Sequence, residues 1–443
     1  MPSYDAAVPD SETVSNIHQA LTDLDSAETQ CLGIGGINAT TLAAQFGTPL
    51  YAFSAETLQK RVAHIRATVG PRFELLWSIK ANPSIAVTDC IRRAGAGAEI
   101  ASIGELEVAL AAGHQAQNLR FAGPGKTDIE IISALEAGLG TFHIESIEEL
   151  QRLIELGSSH QQKVGIAFRV NLPQELAGSR MRMGGRSSRF GIDAEFVPEA
   201  VQMVKSCAHL ELRGLHVYGG TQCFDANAFV AHARALADHA AKWEHELDVR
   251  FAELDLGGGF GVPAFEGDPT FDLDLAAQGL AQLLRDHDRP DRRWFLELGR
   301  YLAAPAGVFL TRVTRTKTSG DQRHIVLDGG MHQAAAAAGF GTILRRPPLV
   351  VAAEQLKPAM LEPVTIGGPL CTPADQFAEQ LPLPKLQTGD LLAILNTGAY
   401  GLTYSPAGFL SHAAPPEVMI ENGAARLIRS RGTAKDALRG QLP

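Results

Sequence analysis

Lys80 stands where the apolar run Phe73-Glu74-Leu75-Leu76-Trp77-Ser78 gives way to Ile79-Lys80-Ala81-Asn82-Pro83. An amine at the end of a buried strand is partly desolvated, so it can be neutral often enough to attack an aldehyde and form an imine. The commoner fate of a strand-end lysine is to extend its ammonium into water. Three other places carry groups that would complement such an amine. His216, in Leu215-His216-Val217-Tyr218-Gly219-Gly220-Thr221-Gln222, could stack on a flat ring; the plain alternative is a satisfied structural histidine. Gly257, Gly258 and Gly259, between Asp255-Leu256 and Phe260, would let backbone N–H groups crowd a phosphate with no Cβ in the way, although a glycine triplet alone is more often a turn. Glu297-Leu298-Gly299-Arg300 offers a carboxylate able to keep a pyridine nitrogen protonated and a guanidinium able to pair with phosphate, or else a surface ion pair.

Only a fold that gathers strand ends can bring these places together. From about residue 50, short apolar runs alternate with amphipathic stretches, and strands are predicted at 73–80, 96–101, 119–123, 141–146, 164–171, 211–219, 251–259 and 293–299. Between them, Ile147, Leu150, Leu153 and Ile154 form one apolar helix face. Eight strands with intervening helices predict an α/β fold, a (β/α)8 TIM barrel, which presents its chemistry at the C-terminal strand ends. All four places lie at such ends, and barrel phosphate sites recur after strands seven and eight. Beyond about residue 312 the texture changes to short β-like runs, such as His324 to Leu327, Leu391 to Leu395 and Glu417 to Ile420. The expected domains are an N-terminal segment 1–46, a barrel 47–312 and a C-terminal β-rich domain 313–443. Residues 1–30 are expected to be loosely ordered, with 31–46 packing on the β-domain.

Composition narrows the class. The 443 residues are 45% hydrophobic and 20% charged with a net charge of -10, enough chain for two domains and the wrong sign for nucleic acid as the main partner. The five cysteines (Cys31, Cys90, Cys207, Cys223, Cys371) have no paired spacing, which offers no metal or disulfide framework and fits a reducing cytoplasm. Neither a signal peptide pattern nor an apolar run of membrane length is present in the sequence, so a cytoplasmic location with no membrane partner is expected.

The ordered strings Gly47-Thr48-Pro49-Leu50-Tyr51, Lys80-Ala81-Asn82, Ser102-Ile103-Gly104-Glu105-Leu106 and Arg189-Phe190-Gly191-Ile192 run on through the glycine triplet to Cys371-Thr372-Pro373-Ala374-Asp375 and Gly398-Ala399-Tyr400. From about Gly47 to the C-terminus the chain resembles the fold-type III pyridoxal phosphate decarboxylases, which include ornithine, arginine and diaminopimelate decarboxylases. The resemblance implies an alanine racemase-like barrel with a β-domain, pyridoxal 5'-phosphate as cofactor, and a head-to-tail homodimer whose active sites are shared between subunits. It implies that Lys80 carries the internal aldimine, that His216 stacks on the ring and that Glu297 contacts the pyridine nitrogen. Gly257, Gly258, Gly259, Arg300 and Tyr400 would hold phosphate, with Thr221 where the family often has serine. Cys371 would reach the partner's site as proton donor, with Asp375 shaping the same pocket and Arg346 and Thr372 among the substrate-binding residues. A small buried hydrophobe is the commoner fate of a cysteine. Glu297 argues for decarboxylation over racemisation, because an acidic partner keeps the ring nitrogen protonated.

Three departures from the family pattern bear on substrate. Glu-Pro-Gly-Arg reads Glu297-Leu298-Gly299-Arg300, which keeps both chemical groups. Two extra residues follow His216, which puts a phosphate contact by Thr221 in question. Thr372 follows Cys371 where diamine-forming members usually carry Glu or Asp for a distal ammonium. Losing that ion pair costs about 2–5 kcal/mol if the ammonium is left buried, which disfavours lysine, ornithine and diaminopimelate. Strings around His216, Cys371 and Tyr400 are most similar to carrier-protein-linked glutamate decarboxylases and exosortase-associated homologues. Arg180, Arg182, Arg186 and Arg189 could then receive an acidic carrier protein or its phosphopantetheine arm, or simply form a solvated loop. Of a different class, a non-catalytic pyridoxal phosphate-binding regulator would be expected to have lost Lys80, Cys371 or Asp375, and all three are present.

Overall fold

The computed structural model describes residues 15–158, 163–173, 176, 179–182, 188–340 and 346–442. It divides into two compact units, one of Leu58–Val262 with Thr270–Ala303, the other of the chain up to Thr57, Pro263–Pro269 and the chain from Ala304 on.

The first unit is a closed parallel barrel of eight strands: β1 Phe73–Ser78, β2 Gly97–Ile100, β3 Leu119–Phe121, β4 Thr141–Ile144, β5 Val164–Asn171, β6 Leu210–His216, β7 Glu253–Gly258 and β8 Arg293–Leu298. Each strand pairs with the next, and β8 returns to β1 from Trp294 opposite Phe73 to Leu298 opposite Trp77. All eight residues of β5 are buried, as expected for a strand with helices outside and barrel interior inside. The helices start where the sequence supplies a cap. Ser102, Thr127, Ser146, Asp225 and Asp272 each accept a backbone N–H three residues on, opening Ile103–Ala111, Asp128–Glu136, Ile147–Gly157, Ala226–Leu247 and Leu273–His287. Such caps contribute about 1 kcal/mol each. Ile147–Gly157 buries Leu150 and Leu153 and half-buries Ile147 and Ile154, the face its spacing predicts.

Inside the barrel, polar groups lie in layers. Arg120 on β3 pairs with Glu253 on β7 at 3.1 Å, and its guanidinium carbon sits 3.7 Å over the Phe295 ring. Glu253 and Phe295 precede Asp255 and Glu297 by two residues, so period-2 alternation places them one layer deeper on the same inward side. Removing one partner of such a buried pair costs about 3–5 kcal/mol. This layer is a floor for the strand-end groups above it.

The second unit is a β-sheet built on the long strand Gly307–Ser319, which pairs with Leu50–Ser54, Leu391–Ile394 and Gln322–Leu327. The predicted runs at 324–327 and 417–420 fall in its strands, and 391–395 overlaps the strand Leu391–Ile394. Two expectations need correction. The barrel was expected from 47 to 312, yet Leu50–Ser54 pairs with Gly307–Ser319 and with Glu417–Glu421, which draws the chain up to Thr57 and from Ala304 on into the β-unit. Described residues before 31 are ordered: helix Asn16–Asp23 puts Ala20 and Leu21 into the β-unit core with Leu24, Leu50, Val308 and Leu391, while Asn16 Nδ2 donates to Phe265 O at 2.8 Å and Asp268 O at 3.0 Å. Eight residues with few apolar positions read as polar in sequence, and the core they join is made of strands distant in the chain. Helix Ala39–Phe46 adds Leu42 and Ala43 to that core, as expected for 31–46. Among the described residues no helix is long and apolar enough to cross a membrane.

Candidate active site

The C-terminal ends of the barrel strands carry a ring of polar side chains. Lys80 lies in the 3-10 turn Ile79–Ala81 directly after β1, and its Nζ donates to Glu99 Oε1 at 2.8 Å and Oε2 at 3.0 Å. Glu99 on β2 is buried, whereas about a third of the Lys80 side chain is exposed, so the amine is held at the barrel mouth by a carboxylate behind it. Burial and the nearby charge of Glu297 push Glu99 up, while Lys80 opposes the rise. The pair fixes where the amine sits, at the mouth of the barrel beside the strand-end groups. Glu105, which accepts the Ala101 N–H at 2.7 Å, is pushed up to about 7 by burial and by Glu99.

Across the mouth, His216 ends β6 and its Nε2 lies 3.2 Å from Glu297 Oε2. His143, at the end of β4, stacks on His216 with ring centroids 4.3 Å apart and planes at 23°. Both imidazoles are buried, and desolvation holds both well below the ordinary histidine range, so they are neutral at pH 7. Asp255 on β7 is pushed well above the usual carboxylate range, first by burial and then by Glu297. Polar atoms of His143, His216, Asp255 and Glu297 all lie within 4.8 Å of one another. Glu297 Oε1, His216 Nδ1 and Asp255 Oδ2 are buried with no hydrogen-bond partner among the described residues. Unsatisfied polar atoms at such depth cost about 1–3 kcal/mol each, which marks a place for an outside group.

The glycine triplet is dictated by crowding. Gly257 and Gly259 have φ of 64° and 90°, and a Cβ on Gly257 would sit 2.3 Å from Val217 O, on Gly258 1.8 Å from Glu297 O, and on Gly259 2.1 Å from Gly220 O. Thr221 Cα is 3.3 Å from that last position, which puts Thr221 beside Gly259. Gly299 is constrained likewise, its would-be Cβ lying 2.9 Å from Ala81 Cβ, and Arg300 opens the short helix Arg300–Ala303 after it. Glu99, His143, Asp255, Arg169 and Glu145 join the strand-end group in the structure, beyond the residues expected from sequence. Arg169 Nη1 bonds both Glu145 oxygens at 3.0 Å and its guanidinium carbon lies 5.9 Å over Tyr218, whose ring is also 5.5 Å from Lys80 Nζ. Each is a polar residue near the end of an apolar run, the same signal that singled out Lys80 and Glu297.

The remaining expected site residues belong to the β-unit. Cys371 is an exposed free thiol. Asp375 is buried, and its two oxygens accept the N–H groups of Met331 at 2.6 Å and Leu370 at 2.8 Å, so one carboxylate pins the loop bearing Cys371 and Thr372 to the Gly330–Met331 turn. Gly330 and Gly368 must lack side chains because a Cβ on either would meet that carboxylate at 2.4–2.7 Å. Thr372 Oγ1 accepts the Ala374 N–H at 3.3 Å and keeps its own proton to donate. Tyr400 has φ of 54° and meets the Tyr404 ring edge-on at 5.9 Å. Arg346 is paired with Asp268 at 2.6 Å.

A barrel with a strand-end lysine, neutral stacked imidazoles, an orphaned carboxylate oxygen and a glycine cradle defines a cofactor-dependent enzyme of the imine-forming class. A family profile described as "Pyridoxal-dependent decarboxylase, pyridoxal binding domain" matches residues 55–304, and the chain belongs to this family. It is 34% identical over 409 residues, 91% of this chain and 96% of the relative, to the L-glutamyl-[BtrI acyl-carrier protein] decarboxylase of Niallia circulans. It is 31% identical over 95% of its length to a diaminopimelate decarboxylase of Methanothermobacter thermautotrophicus, 97% of which is covered. Among solved structures, diaminopimelate decarboxylase from M. jannaschii in co-complex with L-lysine is similar with a TM-score of 0.86 and 27% identity, covering 94% of this chain and 97% of that one. The protein is therefore a pyridoxal phosphate-dependent amino acid decarboxylase of fold type III. The donor set fits the cofactor: buried Glu297 Oε1 and His216 Nδ1 lack a hydrogen-bond partner among the described residues, so an outside ring N–H would satisfy the carboxylate.

Proposed function

We propose that the protein is a cytoplasmic homodimer that removes the α-carboxylate of a glutamyl unit held as a thioester on a carrier protein, in a biosynthetic pathway. When bound, pyridoxal phosphate supplies an aldehyde for the substrate amine and a ring that accepts the electron pair left by carbon dioxide. Lys80 would anchor the cofactor, His216 would lie against its ring, and Glu297 would keep the ring nitrogen protonated. Gly257, Gly258, Gly259 and Arg300, with Thr221 and Tyr400, hold the phosphate. Cys371 of the neighbouring subunit returns a proton from Sγ to the reacting carbon, and its exposed thiol suits that role.

Thr372 carries the substrate reading. A neutral hydroxyl able to donate suits a carbonyl or carboxylate and gives no charge to a distal ammonium. The similarity to a relative named for a carrier-bound L-glutamyl substrate points the same way. The diaminopimelate decarboxylases among the relatives favour a second reading, in which a diamino acid is the substrate. Carbon dioxide release from a substrate panel separates the two. A glutamyl thioester joined through its side-chain carboxyl should outpace L-lysine, L-ornithine and meso-diaminopimelate, and Thr372→Glu should lower that turnover by about 10- to 100-fold, because it replaces a hydroxyl donor with an acceptor-only carboxylate facing a neutral carbonyl. Comparable turnover of a diamino acid by the wild type would put the distal carboxylate elsewhere and end the argument from Thr372. Carbon dioxide release from none of them would favour the non-catalytic reading.

A shared active site has its own test. Mixing inactive Lys80→Ala and Cys371→Ala protomers should restore about a quarter of wild-type activity, because random reassortment puts both intact groups in one of a heterodimer's two sites. With subunit exchange verified by mass spectrometry, activity no higher than either parent's would place Lys80 and Cys371 in one protomer's site.

A further inference from the structure

The segment after His216 forms a strand of its own. Gly220–Cys223 pairs antiparallel with Ser179–Arg182, with Gly220 opposite Arg182, Thr221 opposite Met181 and Cys223 opposite Ser179. Its other side is fastened to the glycine triplet: Cys223 N donates to Gly259 O at 2.9 Å and Gly261 N donates to Cys223 O at 2.7 Å. Ser179–Arg182 is thus the outer strand of a ribbon, and its far edge pairs with no strand among the described residues. An open edge presents backbone N–H and C=O groups at a regular spacing.

The ribbon carries the cation Arg180 in a chain whose net charge is -10. Arg180 is exposed, with its guanidinium carbon 5.0 Å over the Phe224 ring, a cation–π contact that holds the charge at the ribbon. Exposed Arg189 sits 4.9 Å over Phe190, which lines a crevice with Tyr218 and Gly219 just before the ribbon begins. Arg186 lies outside the described residues.

We propose that this ribbon receives the phosphopantetheine arm of the carrier-borne substrate, with Arg180 pairing the arm's phosphodiester and the open edge of Ser179–Arg182 bonding its amides. The proposal rests on the reading of the substrate as a carrier-bound thioester. The arm is an extended chain of amides ending in the thioester, and such a chain satisfies an edge strand as an added β-strand does. A guanidinium binds phosphate through paired N–H donors, and the aromatic ring beneath it fixes its plane. Gly220–Cys223 adjoins Gly259, so the ribbon is anchored beside the strand ends where the chemistry is assembled.

The test compares S-glutamyl-4'-phosphopantetheine with S-glutamyl-pantetheine as substrates of the holoenzyme. The phosphorylated thioester should have a kcat/KM about tenfold higher, mostly through KM, with the preference shrinking as salt is added. Arg180→Ala should bring the ratio of the two to about one and Arg180→Lys should keep part of it, a comparison that cancels any general loss of activity. Equal kcat/KM for the two in the wild type, or an unchanged ratio in Arg180→Ala, overturns the ribbon's role and leaves the thioester reading standing. Turnover of a free amino acid with none of either thioester overturns both.

Discussion

Replacing Lys80 with alanine should abolish covalent attachment of the cofactor and lower decarboxylation at least about 1000-fold, the scale of losing a nucleophile on which the other groups depend. Wild-type protein should be yellow, and borohydride should leave the cofactor on the peptide containing Lys80. The loss should be chemical rather than structural. Glu99 would remain buried without its ammonium, but burial has already pushed this carboxyl upward, so it can stay neutral by holding a proton. With the Lys80 side chain partly exposed, the stability cost should be about 1–2 kcal/mol, visible as a small drop in Tm with the far-UV spectrum unchanged. Label on a different lysine would remove Lys80 from the centre of the site.

Glu297→Gln should lower kcat by about two orders of magnitude, or about 2.7 kcal/mol, with KM little changed. Gln keeps the shape and one carbonyl oxygen, so it can still accept from His216, whose Nε2 is 3.2 Å from the native carboxylate. It loses the charge that would hold a ring nitrogen protonated, and a charge-assisted hydrogen bond is about twice as strong as a neutral one. Asp255 supplies a second readout. Glu297 is the second cause of its raised pKa after burial, so neutralising position 297 should let Asp255 ionise at lower pH. A pH titration of cofactor absorbance in the variant should show that shift. A kcat within threefold of wild type would mean that the ring nitrogen finds its proton elsewhere, with Asp255 the other carboxyl of the cluster.

Much of the strand-end cluster was legible along the chain because strand ends are local. An apolar run stops, a polar residue follows, and the barrel's geometry sends that residue to the active face; this placed Lys80, His216, the glycine triplet and Glu297 without a contact map. The departures were equally readable, since Thr372 after Cys371 and Leu298 before Gly299 need only position and residue type. The same rule applied evenly would have reached Glu99 and His143, which are the penultimate residues of β2 and β4.

Pairings across the barrel were not legible, because no periodicity relates partners on strands far apart in sequence. That Glu99 rather than water receives the Lys80 ammonium, that His143 lies against His216, and that Arg120 and Glu253 make the floor follow from closing β8 onto β1. Domain boundaries escaped for the same reason: Leu50–Ser54 reads like any strand, and only its pairing with Gly307–Ser319 assigns it to the β-unit. Asp375 was recognisable as a motif residue, but its role in joining Leu370 to Met331 depends on two glycines that let the segments touch. Residue types and their order along the chain determined the chemistry available, since they follow from covalent sequence and local alternation. Which charges meet, and which are left buried for a cofactor to satisfy, was decided by tertiary closure, because desolvation and pairing exist only after the strands have come together.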